Sequence, residues 1–297
     1  MIRTLSVVLQ PTPEQASALS ETSRQFTEAF NTACAYGWHN NERNGVALHH
    51  ATYRPLKKQY PALVSDLHCQ ARVKATEALG SAFTLKHKGR KVGCPHSATC
   101  PPRLNKHTFK VAWAASSVRI STTDGRMSIP FTVPAFAEKW AGGTVLTADL
   151  IEREGRWWLH IAVDVPAPQI TATEEVVGVD LGIIQPAVTS TNRFLGKRGW
   201  RHAEDRNLRL RRALQSKGTK SAKRHLRKMR RRQANFRRDC DHVLSKQIVE
   251  AVEPGGTVVL EDLTHIRSRV KVRQRRAGPS PAWLVLRADT YIRSVQG

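Results

Sequence analysis

An α+β unit followed by an α/β unit is the fold class this sequence predicts. The first is a β-barrel or sandwich carrying a helical insertion, and the second is a sheet with a helical hairpin. Three observations predict it. Residues 1–10 form an isolated strand, because a helical block intervenes before strand signals return at 107–165. Two β-branched runs, Val176-Val177-Gly178-Val179-Asp180 and Thr257-Val258-Val259-Leu260-Glu261, each end on a carboxylate. The most basic part of the chain lies between these runs.

The elements follow in chain order. Ile2, Leu5, Val7 and Leu9 are the apolar positions of the first strand, which Pro11 stops. Thr12-Pro13-Glu14-Gln15 opens a helix: Thr12 caps, Pro13 suits the first helical position and Gln15 completes a capping box. Leu19, Phe26 and Phe30 share one face of it. A further helix begins at Ser65, with Leu67, Ala71, Ala75, Ala78, Leu79 and Ala82 as its small apolar side. Asp124-Gly125 and Glu154-Gly155 mark hairpin turns. In the last strand of the region Trp157, Leu159, Ile161, Val163 and Val165 share one face, so the tryptophans read as core and rim packing rather than base-stacking platforms. The first strand is expected to complete this β-region.

Residues 166–175 are rich in Pro and Thr and read as a linker. Beyond it, 186–191 and 193–200 are the next two expected strands. Residues 203–252 read as two helices broken at Gly218, with Leu226, Met229, Phe236, Cys240, Val243, Gln247 and Ala251 as the seam of an antiparallel hairpin. The order strand, strand, strand, helices, strand matches a ribonuclease-H-like α/β domain. The expected organisation is therefore a β-barrel made of 1–12 and 86–170, a helical insertion at 13–85, and a second domain at 171–297 with its basic hairpin at 203–252.

Charge points to the partner. The 297 residues carry 48 Lys+Arg against 24 Asp+Glu, a net charge of +24, which favours a polyanion. No apolar run is long enough to span a bilayer, and the N-terminus lacks a signal-peptide pattern. The expectation is a cytoplasmic, nucleoid-associated protein with no membrane partner. Five scattered cysteines argue against a disulfide framework. Lys223, Arg224, Arg227, Lys228, Arg230, Arg231 and Arg232 repeat at helical spacing, followed by Arg237 and Arg238, with no acidic residue from 206 to 238. A solvated helix face normally mixes signs, so these nine residues read as nucleic-acid contacts. Lys88, Arg90 and Lys91 form a further phosphate-binding loop, and 267–276 a second basic run.

Asp180 and Glu261 are the candidate catalytic pair. On adjacent parallel strands they converge at one sheet edge, where two carboxylates can hold Mg²⁺. The bland alternative makes Asp180 a turn cap and Glu261 a solvated strand end. Two-metal phosphodiester hydrolysis needs a third acidic ligand, and Asp262 points to the opposite strand face if the strand persists. Cys94, His96 and Cys100 lack the second cysteine pair of a zinc ribbon and read as a loop with free thiols.

Val177-Gly178-Val179-Asp180-Leu181-Gly182, the basic helices, His242-Val243-Leu244-Ser245-Lys246-Gln247-Ile248-Val249 and Val259-Leu260-Glu261-Asp262-Leu263 resemble the TnpB (OrfB) proteins of bacterial insertion sequences, compact relatives of type V CRISPR effectors. The resemblance covers essentially the whole chain. It implies a RuvC-like domain and a guide-RNA-bound, Mg²⁺-dependent DNA endonuclease acting on target DNA. It makes the β-barrel wedge-like, gives that barrel and the helical insertion the task of holding RNA, and makes Asp180 and Glu261 the first two RuvC carboxylates. The family continues into a lobe with two Cys-x-x-Cys pairs and a last catalytic Asp. Here 283–292 resembles the helix before that lobe and the sequence ends at Gly297. Asp289, the one acidic residue after Asp262, reads as a solvated helix position. The expectation is a C-terminally truncated member without a zinc ribbon or bound zinc, which retains nucleic-acid binding but cleaves DNA poorly or not at all; a separate chain that supplies the missing lobe is a further candidate partner. Two other functions compete. One is an inactive, repressor-like guide-RNA and DNA binder. The other is an actin-like or sugar-kinase ATPase, against which Ile183-Ile184-Gln185-Pro186 lacks the expected phosphate donors.

Overall fold

The computed structural model describes residues 1–261 except Pro168, Ile170 and Ile183. The expectations for Asp262, 267–276, 283–292 and Asp289 lie outside the described residues. The chain divides into two compact units, Met1–Pro168 and Gln169–Gly297.

The first unit opens with β1 (Ile2–Leu9), followed by α1 (Pro13–His39), α2 (Gly45–Gln59) and α3 (Ser65–His87). The strands β2 (Arg103–Leu104), β3 (Phe109–Ala112), β4 (Ser117–Thr122), β5 (Gly125–Thr132), β6 (Thr144–Arg153) and β7 (Arg156–Asp164) come next. They join β1 in one antiparallel sheet ordered β2-β6-β7-β1-β5-β4-β3. The first strand thus sits at the centre, between two hairpins that follow it by more than a hundred residues.

Alternation explains the packing. Leu5, Val7 and Leu9 turn inward and are buried; Ile2 has the opposite parity and is 66% exposed, so it does not belong with them as the sequence suggested. Trp157, Leu159, Ile161, Val163 and Val165 are all buried, and Trp157 is a core residue. Against this face pack Leu19, Phe26 and Phe30 of α1 and Leu67, Ala71 and Ala75 of α3. Each large side chain fully buried here contributes about 1.5–3 kcal/mol.

Local chemistry fixes the helix starts. Thr12 Oγ1 accepts from the Gln15 N–H, and Gln15 Oε1 accepts from the Thr12 N–H, closing the expected capping box. One helix was not foreseen. Asn44 accepts from the N–H groups of Val46 and Ala47 to start α2, and Leu48, Thr52 and Leu56 bury one side of it. Pro55 lies inside α2, which hid the helix in the sequence.

The second unit contains β8 (Val176–Asp180), β9 (Ala187–Thr189), β10 (Phe194–Leu195), α4 (Gly199–Lys217), α5 (Lys220–Val249) and β11 (Thr257–Leu260). Its sheet is ordered β10-β9-β8-β11, with β11 parallel to β8 and the other pairs antiparallel. The strand expected at 193–200 is shorter, because Gly196 at φ +80° ends it and α4 begins at Gly199. Gly218, at φ +63°, closes α4, and Thr219 Oγ1 accepts from the Ala222 N–H to open α5.

The seam of α5 departs from expectation beyond Cys240. Cys240, Leu244 and Ile248 are buried, whereas Val243 and Gln247 are only partly so. A helix lying on a sheet presents residues four apart, and Leu244 and Ile248 pack on Val177, Val179, Ala187 and Leu195. Gln247 instead uses its Oε1 to accept from the Gly196 N–H at 2.7 Å.

Candidate functional site

Strand register determines where the two carboxylates lie. Val176, Val177, Gly178 and Val179 pair with Thr257, Val258, Val259 and Leu260. Asp180 and Glu261 therefore occupy the next position on each strand, at the same end. Val177 and Val179 are buried beneath α5, and Val258 and Leu260 pack on the same cluster. Side chains alternate along a strand, so 176, 178 and 180 share the opposite face with 257, 259 and 261. On that face Val176 is 61% and Val259 50% exposed. Adjacent strands stand roughly 4.8 Å apart, so the two residues follow neighbouring strands side by side.

Both side chains are exposed. The Leu181 N–H donates to Glu261 Oε1 at 3.4 Å, across the strand pair. Asp180's carboxylate makes no hydrogen bond among the described residues. The turn after it is tight. The Gly182 N–H donates to Pro186 O at 3.3 Å, and a Cβ on Gly182 would lie 2.6 Å from Gln185 O. Gly178 faces Ser190, whose Oγ accepts from the Gly178 N–H at 3.1 Å. Among the described residues no group of three or more His, Cys, Asp or Glu is placed to hold a metal ion. Among the described residues the candidate site is thus a pair of carboxylates, with hard oxygen donors of the type Mg²⁺ takes.

The basic residues gather on the helical hairpin. Lys223, Arg224, Arg227, Lys228, Arg230, Arg231, Arg232, Arg237 and Arg238 are all exposed on α5. Lys223 and Arg227, and Arg224 and Lys228, stand four apart, where like charges repel. Arg237 Nε donates to Glu204 Oε1 at 3.0 Å, so an acidic partner absent from the local sequence arrives from α4. Arg206, Arg209, Arg211 and Arg212, exposed on α4, extend the positive surface beyond the residues expected. Their signal was the same acid-free stretch.

Lys88, Arg90 and Lys91 are exposed after α3, in the first unit. The loop that follows is stitched to α1. Asn31 pairs with the backbone of Ser97 through both its amide atoms at 2.9 Å, and the Cys100 N–H donates to Thr27 Oγ1 at 2.9 Å. Cys100 is consequently buried while Cys94 is exposed, and both are free thiols.

Residues 160–265, which include both carboxylates and the hairpin, match the family model OrfB_IS605, described as "Probable transposase". This segment is OrfB-like. Over 292 residues the chain is 26% identical to a Streptomyces pristinaespiralis protein named "Putative RNA-guided DNA endonuclease", covering 94% of this chain and 71% of that protein. The fold likewise resembles a chain in a cryo-EM structure of a Cas12f1-sgRNA-target DNA complex, with a TM-score of 0.65 at 12% identity, covering 94% of this chain and 71% of that one. Among the described residues, no helix is long and apolar enough to cross a membrane.

Proposed function

We propose that this chain is a nucleic-acid-binding protein of the RNA-guided DNA endonuclease type, with guide RNA and target DNA as its partners. The second unit is read as a ribonuclease-H-like (RuvC) domain in which Asp180 and Glu261 hold Mg²⁺. Residues 1–12 with 86–170 are read as its wedge-like barrel, and 13–85 as a recognition insertion. The observation that carries the proposal is the parallel register of β8 and β11, which sets two carboxylates on one face at one end. The matched family segment, with the similarity to a protein named as an RNA-guided endonuclease, supports it.

Each group has a task. The α5 cations neutralise backbone phosphates and hold the strand by counterion release. The Leu181 N–H fixes the rotamer of Glu261. When bound, Mg²⁺ would polarise the scissile phosphate and acidify a water. Among the described residues the donor set suits one such ion and falls short of the acidic ligands that two need; on this reading nucleic-acid binding is retained and cutting is slow.

A plasmid-cleavage assay with Mg²⁺ and co-purified RNA tests this. The expected result is retained RNA and shifted DNA, with slow nicking that Asp180→Ala abolishes. Cutting that survives Asp180→Ala would remove the site from this pair. Efficient Asp180-dependent cutting would overturn the impairment. Failure to bind RNA and DNA would overturn the whole proposal.

A further inference from the structure

The groove between α4 and α5 contains a cleft of about 540 Å³. That is within the range of small-molecule pockets and ample for a nucleobase. Its floor is apolar: Leu208, Leu226 and Met229 line it and are half-buried. Its rim is mainly cationic, with Arg227 and Arg230 exposed on α5 and Arg211 on α4, and it also holds the carboxylate of Glu204, which is paired with Arg237. Its wall includes Gln233, whose Oε1 is buried with no hydrogen-bond partner among the described residues.

This combination is unlike a helix–helix seam. A hairpin that needed only to pack would close the gap with Leu or Ile, and would not bury a carbonyl oxygen without a donor. Backbone phosphates need only the arginines; they have no use for an apolar floor or a buried acceptor. A group that suits this cleft has an apolar body, an N–H for the buried oxygen and an anion beside it.

We propose that the cleft receives one unstacked base of a single-stranded nucleic acid. The base lies on Leu208, Leu226 and Met229, and its amino or imide N–H donates to Gln233 Oε1. The flanking phosphates rest on Arg211, Arg227 and Arg230. A base inside a duplex is stacked and paired, so a single strand enters at far lower cost. This rests on the proposed function, since it needs the hairpin to meet nucleic acid, and it names the form of strand the hairpin takes.

The test uses the full chain and a short single-stranded oligonucleotide carrying one 2-aminopurine, whose fluorescence rises on unstacking. Binding is followed in parallel by anisotropy, and folding of each variant by circular dichroism. Wild type is expected to raise the 2-aminopurine signal. Gln233→Leu and the cleft-filling Ala234→Trp should remove the rise and weaken binding about tenfold, the equivalent of one lost buried hydrogen bond or apolar contact, while the salt dependence of binding persists. An oligonucleotide with an abasic nucleotide at the labelled position should show the same tenfold weakening against wild type, which needs no variant to fold. Binding without a fluorescence rise, or a rise unchanged in both variants, overturns the cleft proposal and leaves the basic surface standing. No binding at all overturns both.

Discussion

The backbone N–H of Leu181 donates to Glu261 Oε1 at 3.4 Å, so the carboxylate after one strand is fastened to the residue following the carboxylate of its parallel neighbour. Eighty positions of sequence separate them, and the register Leu260 with Val179 brings them together. The geometry depends on the strand pair and on the turn that leaves Asp180.

That turn gives the first prediction. A methyl group on Gly182 would meet Gln185 O at 2.6 Å, a backbone atom that cannot swing aside. Gly182→Ala should destabilise the second unit by about 1–3 kcal/mol, the usual cost of overpacking. Thermal unfolding monitored by circular dichroism reads it; an unchanged midpoint would mean the turn is looser than described.

The packing of α5 on the sheet gives the second. Leu244 is fully buried there, while Val243 beside it is half-buried. Leu244→Ala should cost about 2–5 kcal/mol and Val243→Ala clearly less. Denaturant titration of the two variants decides it, and equal destabilisation would restore the heptad seam.

The basic face gives the third. Replacing Arg224 or Lys228 by Gln should lower affinity for any sequence alike and reduce the slope of log K against log salt by about one for each phosphate left without its cation. Arg237→Gln should do less to that slope, because Arg237 is partly spent on Glu204. Anisotropy across a salt series measures both, and a variant that changes sequence preference instead would assign those residues to base reading.

Acid stability gives the fourth. Glu21 is held well down, to about 2 from 4.5, chiefly by its hydrogen bond from Arg24 and next by that from Gln25. A carboxyl whose pKa is depressed on folding contributes stability that is present above about 4.5 and lost as pH falls toward 2. Both side chains are substantially exposed, so solvent screening keeps the effect small. Arg24→Gln should lower the melting temperature slightly at neutral pH, and its difference from wild type should vanish as pH falls through that window.

The sequence carried the strongly periodic parts of this fold. Thr12 and Gln15 close their capping box, and Asp124-Gly125 and Glu154-Gly155 turn the two hairpins, because those signals are local. The carboxylates were legible for a related reason: a β-branched run ending on an acid reads as a strand end without knowledge of its neighbours. Helix α2 was missed although Asn44, Leu48 and Leu56 mark it, since Pro55 reads locally as a stop. The choice between Val243 and Leu244 depended on which face the sheet would cover, and the ion pair of Arg237 with Glu204 on how the hairpin closes. Gln233 gave no signal at all, for a lone Gln becomes informative only when its oxygen is found buried.

Mn²⁺ binding by the full chain, followed by electron paramagnetic resonance, bears most directly on the shared cation site. Wild type should take up a single Mn²⁺ weakly, and Mg²⁺ should displace it. Asp180→Asn and Glu261→Gln should each abolish that binding while leaving the melting temperature intact. Binding that persists in both variants, or no binding in wild type, would contradict a cation held between these two carboxylates.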